Sequence, residues 1–309
     1  MKSAEITHRR VLNVAIPIVI SNATYPILGA VDTGVVGQLG DAVPIGAVGI
    51  GAIILSGLYW IFGFLRMGTS GLVAQARGAG DVSETKAIFI RGMIIGIAAG
   101  VVIFTLQIPM FWGAFQIAPA SSEVEVLAQS YMEIRIWGAP ASISLYAITG
   151  WLIAMERTRS VLILQLWING VNVALDLWFV LGLDMGVEGV AVATLIAEWS
   201  GMALGLYLCR SIFVGEQWRD WAVVFDRVKA RRMASVSGDI MIRSLLLNGS
   251  FMTFLFIGAK LGNVTLAANQ ILLQFVEITA YALDGFAFAA EAMVGVAIGA
   301  KNRRALRRA

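Results

Sequence analysis

Apolar residues run along the chain in eight long blocks, near residues 11–36, 44–76, 88–112, 127–155, 160–183, 186–209, 233–259 and 265–299, parted by short stretches that hold glycine, proline and charge. Each block is long enough for the roughly 20 residues that an α-helix needs to cross a bilayer. The pattern predicts an all-α integral membrane protein with eight transmembrane helices. No short apolar run with a small-residue cleavage site precedes the first block, so no removable signal peptide is expected.

Composition sharpens this. The chain is 58% hydrophobic and only 14% charged, against roughly 25% charged in an ordinary soluble domain, and its mean hydropathy is +0.79. A soluble enzyme and a disordered chain are both excluded. Cys209 and His8 are the only cysteine and histidine, so disulfide, thiol-redox, Cys/His metal and Ser-His-Asp chemistry lack their parts. We expect no enzyme, no cofactor and no nucleic-acid partner; the partner is the lipid bilayer.

The basic residues fall in alternate connections. Lys2, Arg9 and Arg10 precede the first block, and Arg77, Lys86 and Arg91 stand around the junction of the second and third. Arg157 and Arg159 join the fourth to the fifth, and Arg210, Arg219, Arg227, Lys229, Arg231 and Arg232 follow the sixth. Lys301, Arg303, Arg304, Arg307 and Arg308 follow the eighth. The opposite connections hold only Lys260. The positive-inside rule then places both termini in the cytoplasm and the protein in the inner (cell) membrane.

Small residues support close helix packing in lipid, and Gly92, Gly96 and Gly100 form a small-xxx-small ridge on the third block. Trp112 and Trp178 are expected as interfacial anchors. Trp218 and Trp221 lie in an amphipathic segment, 211–231, expected to form a short helix on the membrane surface. It divides a six-helix amino-terminal lobe, residues 1–210, from a two-helix carboxy-terminal lobe, residues 232–309.

An internal echo fits that division. Val73, Ala76, Gly78 and Ala79 at the end of the second block recur at one offset as Val294, Ala297, Gly299 and Ala300 at the end of the eighth. Leu39-Gly40 recurs one residue out of step as Leu261-Gly262. A complete second unit would need four further spans, so the chain is expected to be truncated, its carboxy-terminal lobe incomplete.

Ionisable groups at membrane depth are costly unless paired or hydrated, which makes each a functional candidate. Asp32 lies roughly 9 Å below the outer end of the first helix, Asp176 about 10 Å and Asn172 about 16 Å below the outer end of the fifth, and Thr194 roughly 12 Å down the sixth. Asn172 and Asp176 are four apart and share a helix face. Two carboxylates, an amide and a hydroxyl in one layer suit a monovalent cation, or a carboxyl pair that trades one proton. No metal beyond Na⁺ at Asp32, Asn172, Asp176 and Thr194 is expected. Pro17 and Pro26 interrupt the first helix and are candidate hinges. Arg66, Arg135, Arg243, Glu133, Asp239, Glu277, Asp284 and Glu291 also lie within blocks. Of these, Arg66, Glu277, Asp284 and Glu291 are candidate substrate or gating contacts. Asp239 and Arg243 are spaced to pair along one helix, and Arg135 or Glu133 to pair across helices; structural ion pairs explain them as well as substrate contact does.

The stretches Ala15-Ile-Pro17, Val31-Asp32-Thr33 through Gly37-Gln-Leu-Gly40, Asn169-Gly-Val-Asn172-Val-Ala-Leu-Asp176, Gly186-Val-Glu-Gly189-Val-Ala-Val-Ala-Thr194 and Ala282-Leu-Asp-Gly285 to Ile298-Gly299 resemble the multidrug and toxic compound extrusion (MATE) family. The chain is most similar to its DinF (DNA-damage-inducible F) subfamily. The resemblance implies a twelve-span exporter of two six-helix lobes that opens alternately to each side, driven by inward Na⁺ or H⁺. It also implies a cation or proton site on the residues matching Asp32, Asn172, Asp176 and Thr194. The chain departs from this pattern in its two-span second lobe and in Val296, which stands where the repeat partner has Gln75. The expected function is thus a secondary active antiporter, acting as a monomer, that exports small amphipathic organic compounds. The alternatives are an inert or partial fragment of such a transporter, and a flippase for lipid-linked sugars, whose cationic cavity would draw on Arg66, Arg135 and Arg243.

Overall fold

Residues 6–38, 40–117, 120–260 and 263–309 are described by the computed structural model, and no strand occurs among them. Helix α1 (His8–Gly37) starts where the Thr7 hydroxyl accepts from the Arg10 N–H, the usual device for satisfying a free helix-end donor. It runs without a break across Pro17, whereas the side chains of Pro26 and Glu277 lie outside the described residues.

Two of the long blocks are bent pairs rather than single rods. Helix α2 (Ala42–Trp60) passes through a 3₁₀ turn, Ile61–Gly63, into α3 (Phe64–Gly78). Likewise α6 (Ser122–Arg135) passes through Ile136–Gly138 into α7 (Ala139–Ala154). The third block also divides, into α4 (Val82–Thr105), capped by Asp81, and the short α5 (Gln107–Ile117). Helix α8 (Thr158–Asp176) widens into a π-helical turn, Leu177–Gly182, before α9 (Gly186–Leu208).

The segment expected to be one surface helix is instead a chain of short turns. Two 3₁₀ turns, Arg210–Phe213 and Gln217–Arg219, lead to the one-turn α10 (Trp221–Val224), and α11 (Arg227–Lys260) begins inside the stretch read as linker. Basic side chains fasten these turns down: Arg91 donates to the Val224 carbonyl at 2.6 Å and, like Lys229, pairs with Glu84, at 2.8 and 2.9 Å. Lys86 donates to the Gln217 side chain at 3.0 Å. Helix α12 (Asn263–Gly299) and α13 (Arg303–Arg308) complete the chain. Among the described residues, six helical stretches are long and apolar enough to span a membrane: 42–78, 82–105, 122–154, 158–182, 186–208 and 271–299.

Small residues set the spacing. A Cβ on Gly92 would meet Ala147 at 2.9 Å, one on Gly96 would meet Ser144 at 2.9 Å, and one on Gly100 would run into Pro140. The predicted ridge on α4 is therefore a close seam with α7, held by van der Waals contact where lipid removes most of the hydrophobic drive. Trp112 and Trp178 are 69% and 60% exposed, turned outward as membrane anchors would be.

The turns that end α3 and α12 are built alike. Gly80 and Lys301 both adopt positive φ, 76° and 52°. The Asp81 N–H reaches the Ala76 carbonyl and the Asn302 N–H reaches the Ala297 carbonyl, each at 3.0 Å. Asp81 then caps α4 and Asn302 caps α13. The sequence echo thus continues into backbone geometry at the same offset. Its second element, Leu39 against Leu261-Gly262, lies outside the described residues.

Candidate functional site

Helices α1, α8 and α9 meet around the polar group read from the sequence. Asn172 and Asp176 are both 0% exposed, on the same face of α8 because they stand one turn apart. The Asn172 amide donates to the Thr194 hydroxyl at 3.0 Å, and that hydroxyl donates to the Val190 carbonyl of its own helix at 2.9 Å. The carboxyl of Asp32 on α1 interacts with that of Asp176. Four side-chain oxygens in this group have no donor: Asp32 Oδ1, Asn172 Oδ1 and both carboxyl oxygens of Asp176.

Oxygens left this way are expensive, and two bare carboxylates cannot satisfy each other because both only accept. A proton shared between Asp32 and Asp176, or a small hard cation among the four oxygens, would supply what is missing, and the donor set is all oxygen, as Na⁺ prefers. Asp176 is the last residue of α8 before the π turn, so the widened turn decides where its carboxyl points; such bulges recur at functional sites.

The polar group extends further than the sequence reading reached. Arg135 on α6 acts electrostatically on both Asp32 and Asp176 and is held bidentately by Glu198 on α9, at 2.8 and 2.9 Å. The Tyr59 hydroxyl donates to the Arg135 carbonyl at 3.4 Å. Glu198 was missed; its signal was present, an acid inside an apolar span one turn after Thr194 on the same face. Along α8 the stripe continues through Asn169 to Gln165, whose amide donates to Asn169 Oδ1 at 2.8 Å.

The remaining candidates lie elsewhere. Arg66 of α3 stacks its guanidinium over the Phe288 ring of α12 at 4.2 Å and faces Asp284 and Glu291. The pairing expected from spacing between Asp239 and Arg243 does not occur; both are exposed, and Arg243 lies 3.9 Å from the Met67 sulfur instead. Glu133 is exposed and accepts from Gln129 at 2.8 Å, leaving Arg135 to Glu198. At the basic end, Glu156 in the turn between α7 and α8 binds Arg10 at 2.6 Å and Arg77 at 3.1 Å. Burial alone would push its carboxyl up, but the two guanidinium groups outweigh that and hold it below the usual glutamate range.

The MatE family model matches residues 17–178 and 240–309. The chain belongs to the MatE family. It is 39% identical over 296 residues to DNA damage-inducible protein F of Escherichia coli (strain K12), a match that covers 94% of this chain and 63% of that protein. It is 25% identical over 318 residues to a probable multidrug resistance protein NorM of Synechocystis sp., with 97% of this chain and 66% of that protein covered. The chain therefore spans less than two thirds of these relatives' length. Its fold superposes on a crystal structure of MATE in the bent conformation with a TM-score of 0.87 at 23% identity, over 97% of this chain and 67% of that one. For a MOP superfamily transporter from Pyrococcus furiosus the TM-score is 0.82 at 22% identity, over 97% and 66%. This MatE chain is a multi-pass membrane protein with the MATE transporter fold.

Proposed function

We propose that the chain is the ion-coupled portion of a secondary active antiporter that exports organic, toxic compounds against inward H⁺ or Na⁺. The observation that carries this reading is the facing pair Asp32 and Asp176, with the Asn172–Thr194 bond beside it and four oxygens lacking a donor. In this reading α1 and α11 also cross the membrane, giving eight spans. Residues 1–210 form one six-helix lobe, 211–231 a cytoplasmic link and 232–309 two helices of a second lobe. The basic end faces the cytoplasm of a bacterial inner membrane, and the working unit is a monomer.

An ion can drive export only if ion and substrate prefer opposite-facing states. Loading the Asp32/Asp176 pair removes the repulsion between them and lets α1 draw toward α8, with Pro17 and Pro26 absorbing the bend; an unloaded pair favours α1 standing off, which leaves room for substrate. The test is efflux of a fluorescent organic cation from vesicles under an imposed pH or Na⁺ gradient. Asp32→Asn is expected to abolish the gradient-driven component, and unchanged gradient-driven efflux would refute the assignment.

Two other readings compete. One is a partial or inert fragment of such a transporter; gradient-insensitive vesicles with intact ion binding would support it. A lipid-linked sugar flippase needs free cations in a cavity, and the engagement of Arg135 by Glu198 removes one of the three it would use.

A further inference from the structure

The turns that link α9 to α11 form a strap with two unlike sides. On the inner side Ile212 and Val224 are buried, and three backbone carbonyls meet buried cations of α4. Lys86 donates to the Val214 carbonyl at 2.5 Å, and Arg91 donates to those of Val223 and Val224 at 2.5 and 2.6 Å. On the outer side Val214, Trp221, Phe225 and Val228 are 69%, 53%, 64% and 79% exposed. The Trp221 ring stacks on that of Phe225, with centroids 5.9 Å apart and planes 23° from parallel.

Single exposed apolar side chains are ordinary on any protein, but these four share one fastened strap. Turning Phe225 inward would take Val224 out of the core and its carbonyl off Arg91, so the inner hydrogen bonds fix which residues face out. Cations without acids stand among them. Arg219, Arg227 and Arg231 are exposed, and no ion pair reaches them among the described residues; Arg219 lies over the Trp218 ring at 4.6 Å instead. The cations that do pair here are Arg91 and Lys229, both with Glu84. Two of the strap's acids are engaged by backbone: Asp220 accepts from the Val223 N–H, and Asp226 from those of Val228 and Lys229. Glu216 is exposed as well, one acid against three arginines.

The strap follows directly on α9, a helix long and apolar enough to span the membrane, which ends at Leu208. It therefore starts where a spanning helix leaves the hydrocarbon, at the level of the lipid headgroups. Exposed aromatic and aliphatic side chains beside unpaired guanidinium groups suit an anionic bilayer interface: the rings enter the acyl boundary and the cations meet phosphate. A second copy of the chain fits the surface poorly, because a two-fold contact through it would bring the same three arginines together, like against like. We propose that the outer side of this strap is a docking surface for anionic phospholipid in the leaflet at the basic end. Arg91 and Lys86 tie the strap to α4, and Lys229 of α11 reaches Glu84 of α4 at 2.9 Å, so lipid seated there also braces α4 against α11. This surface lies beyond the ion-coupled export proposed above, and its test does not depend on that reading.

The experiment places the chain in vesicles of phosphatidylcholine mixed with phosphatidylglycerol, with a bimane label on Val228→Cys; the native thiol, Cys209, is buried. Quenching of the label by each lipid in turn, brominated in its acyl chains, gives the lipid preference of the strap. Both lipids are expected to quench, with phosphatidylglycerol preferred at least about fivefold, the effect of one basic residue near an anionic surface. Added salt is expected to shrink that preference. The variant Arg219→Gln/Arg227→Gln/Arg231→Gln is expected to lose the preference while its label stays quenched, and Arg219→Lys/Arg227→Lys/Arg231→Lys to keep it. Absence of quenching by either lipid would put the strap in water or against protein and overturn the proposal. Equal quenching by the two lipids, or a glutamine variant that keeps the preference, overturns it as well. Should the glutamine variant fail to fold, salt decides: a preference that salt leaves unchanged overturns the assignment.

Discussion

Gly78 and Gly299 make the same contact in opposite directions. A Cβ on Gly78 would run into the Val296 carbonyl, and a Cβ on Gly299 would run into the Gln75 carbonyl. Gln75 and Val296 are themselves counterparts in the repeat, as are Ala74 and Gly295, which touch each other. Helices α3 and α12 therefore cross about a local two-fold axis near Ala74 and Gly295. Val296, the departure noted from sequence, meets Gly78 through its backbone, which explains why the side-chain difference from Gln75 leaves the contact intact.

Gly78→Ala and Gly299→Ala are each expected to destabilise the protein by about 1–3 kcal/mol, the cost of forcing atoms into a filled contact. Gly57→Ala is the control: nothing lies within 4 Å of its added Cβ, so a helical alanine should be neutral or stabilising by up to about 1 kcal/mol. Thermal unfolding in detergent separates the two outcomes.

Removing one member of the Asp32/Asp176 pair should relieve like-charge repulsion. Asp176→Asn is expected to be more stable than the parent by at least about 1 kcal/mol in Na⁺-free buffer at alkaline pH, where the pair holds no shared proton, and to lose any further rise in Tm when Na⁺ is added. A variant that melts lower than the parent in Na⁺-free buffer would show that the carboxyl is not held against a like charge.

Glu198→Ala leaves the Arg135 guanidinium buried without its carboxylate, 10% exposed in the intact pair, and should cost about 3–5 kcal/mol. The double variant Arg135→Met/Glu198→Leu should recover most of that loss, since an apolar pair removes both charges. Denaturant titration of the two variants measures the difference; equal losses would mean that the pair is not a coupled unit.

Glu156 sets an acid limit at the basic end. Its native carboxyl sits below the ordinary glutamate value of 4.5, so its contribution is complete above that value and is lost as pH falls through the lower native one. Glu156→Gln should cost about 1.5–3 kcal/mol at pH 7, the range for hydrogen bonds to a charged group. The gap between parent and variant should narrow below about pH 4.5. Melting curves across that range test it, and a gap independent of pH would contradict the assignment.

Contacts within one helix were legible before any fold was known. Asn172 and Asp176 share a face because helical rise and period leave no alternative, and the depth arithmetic put Thr194 and Asp32 in the same layer. Spacing alone misled at Asp239 and Arg243, where the pitch permits a pair but both side chains are exposed and Arg243 lies 3.9 Å from the Met67 sulfur. It gave no route to Arg135 and Glu198, which lie on different helices, or to the break of the 44–76 block at Ile61–Gly63.

By itself the sequence determined that the chain belongs in a bilayer and that it is built of long apolar helices, because bilayer thickness and helical rise are constants that the chain must obey. Tertiary structure decided how each helix is turned about its axis and which neighbour it approaches. Those choices depend on the summed packing of many small contacts between helices, and they alone faced Asp32 toward Asp176, gave Arg135 to Glu198, and set Gly78 against Val296.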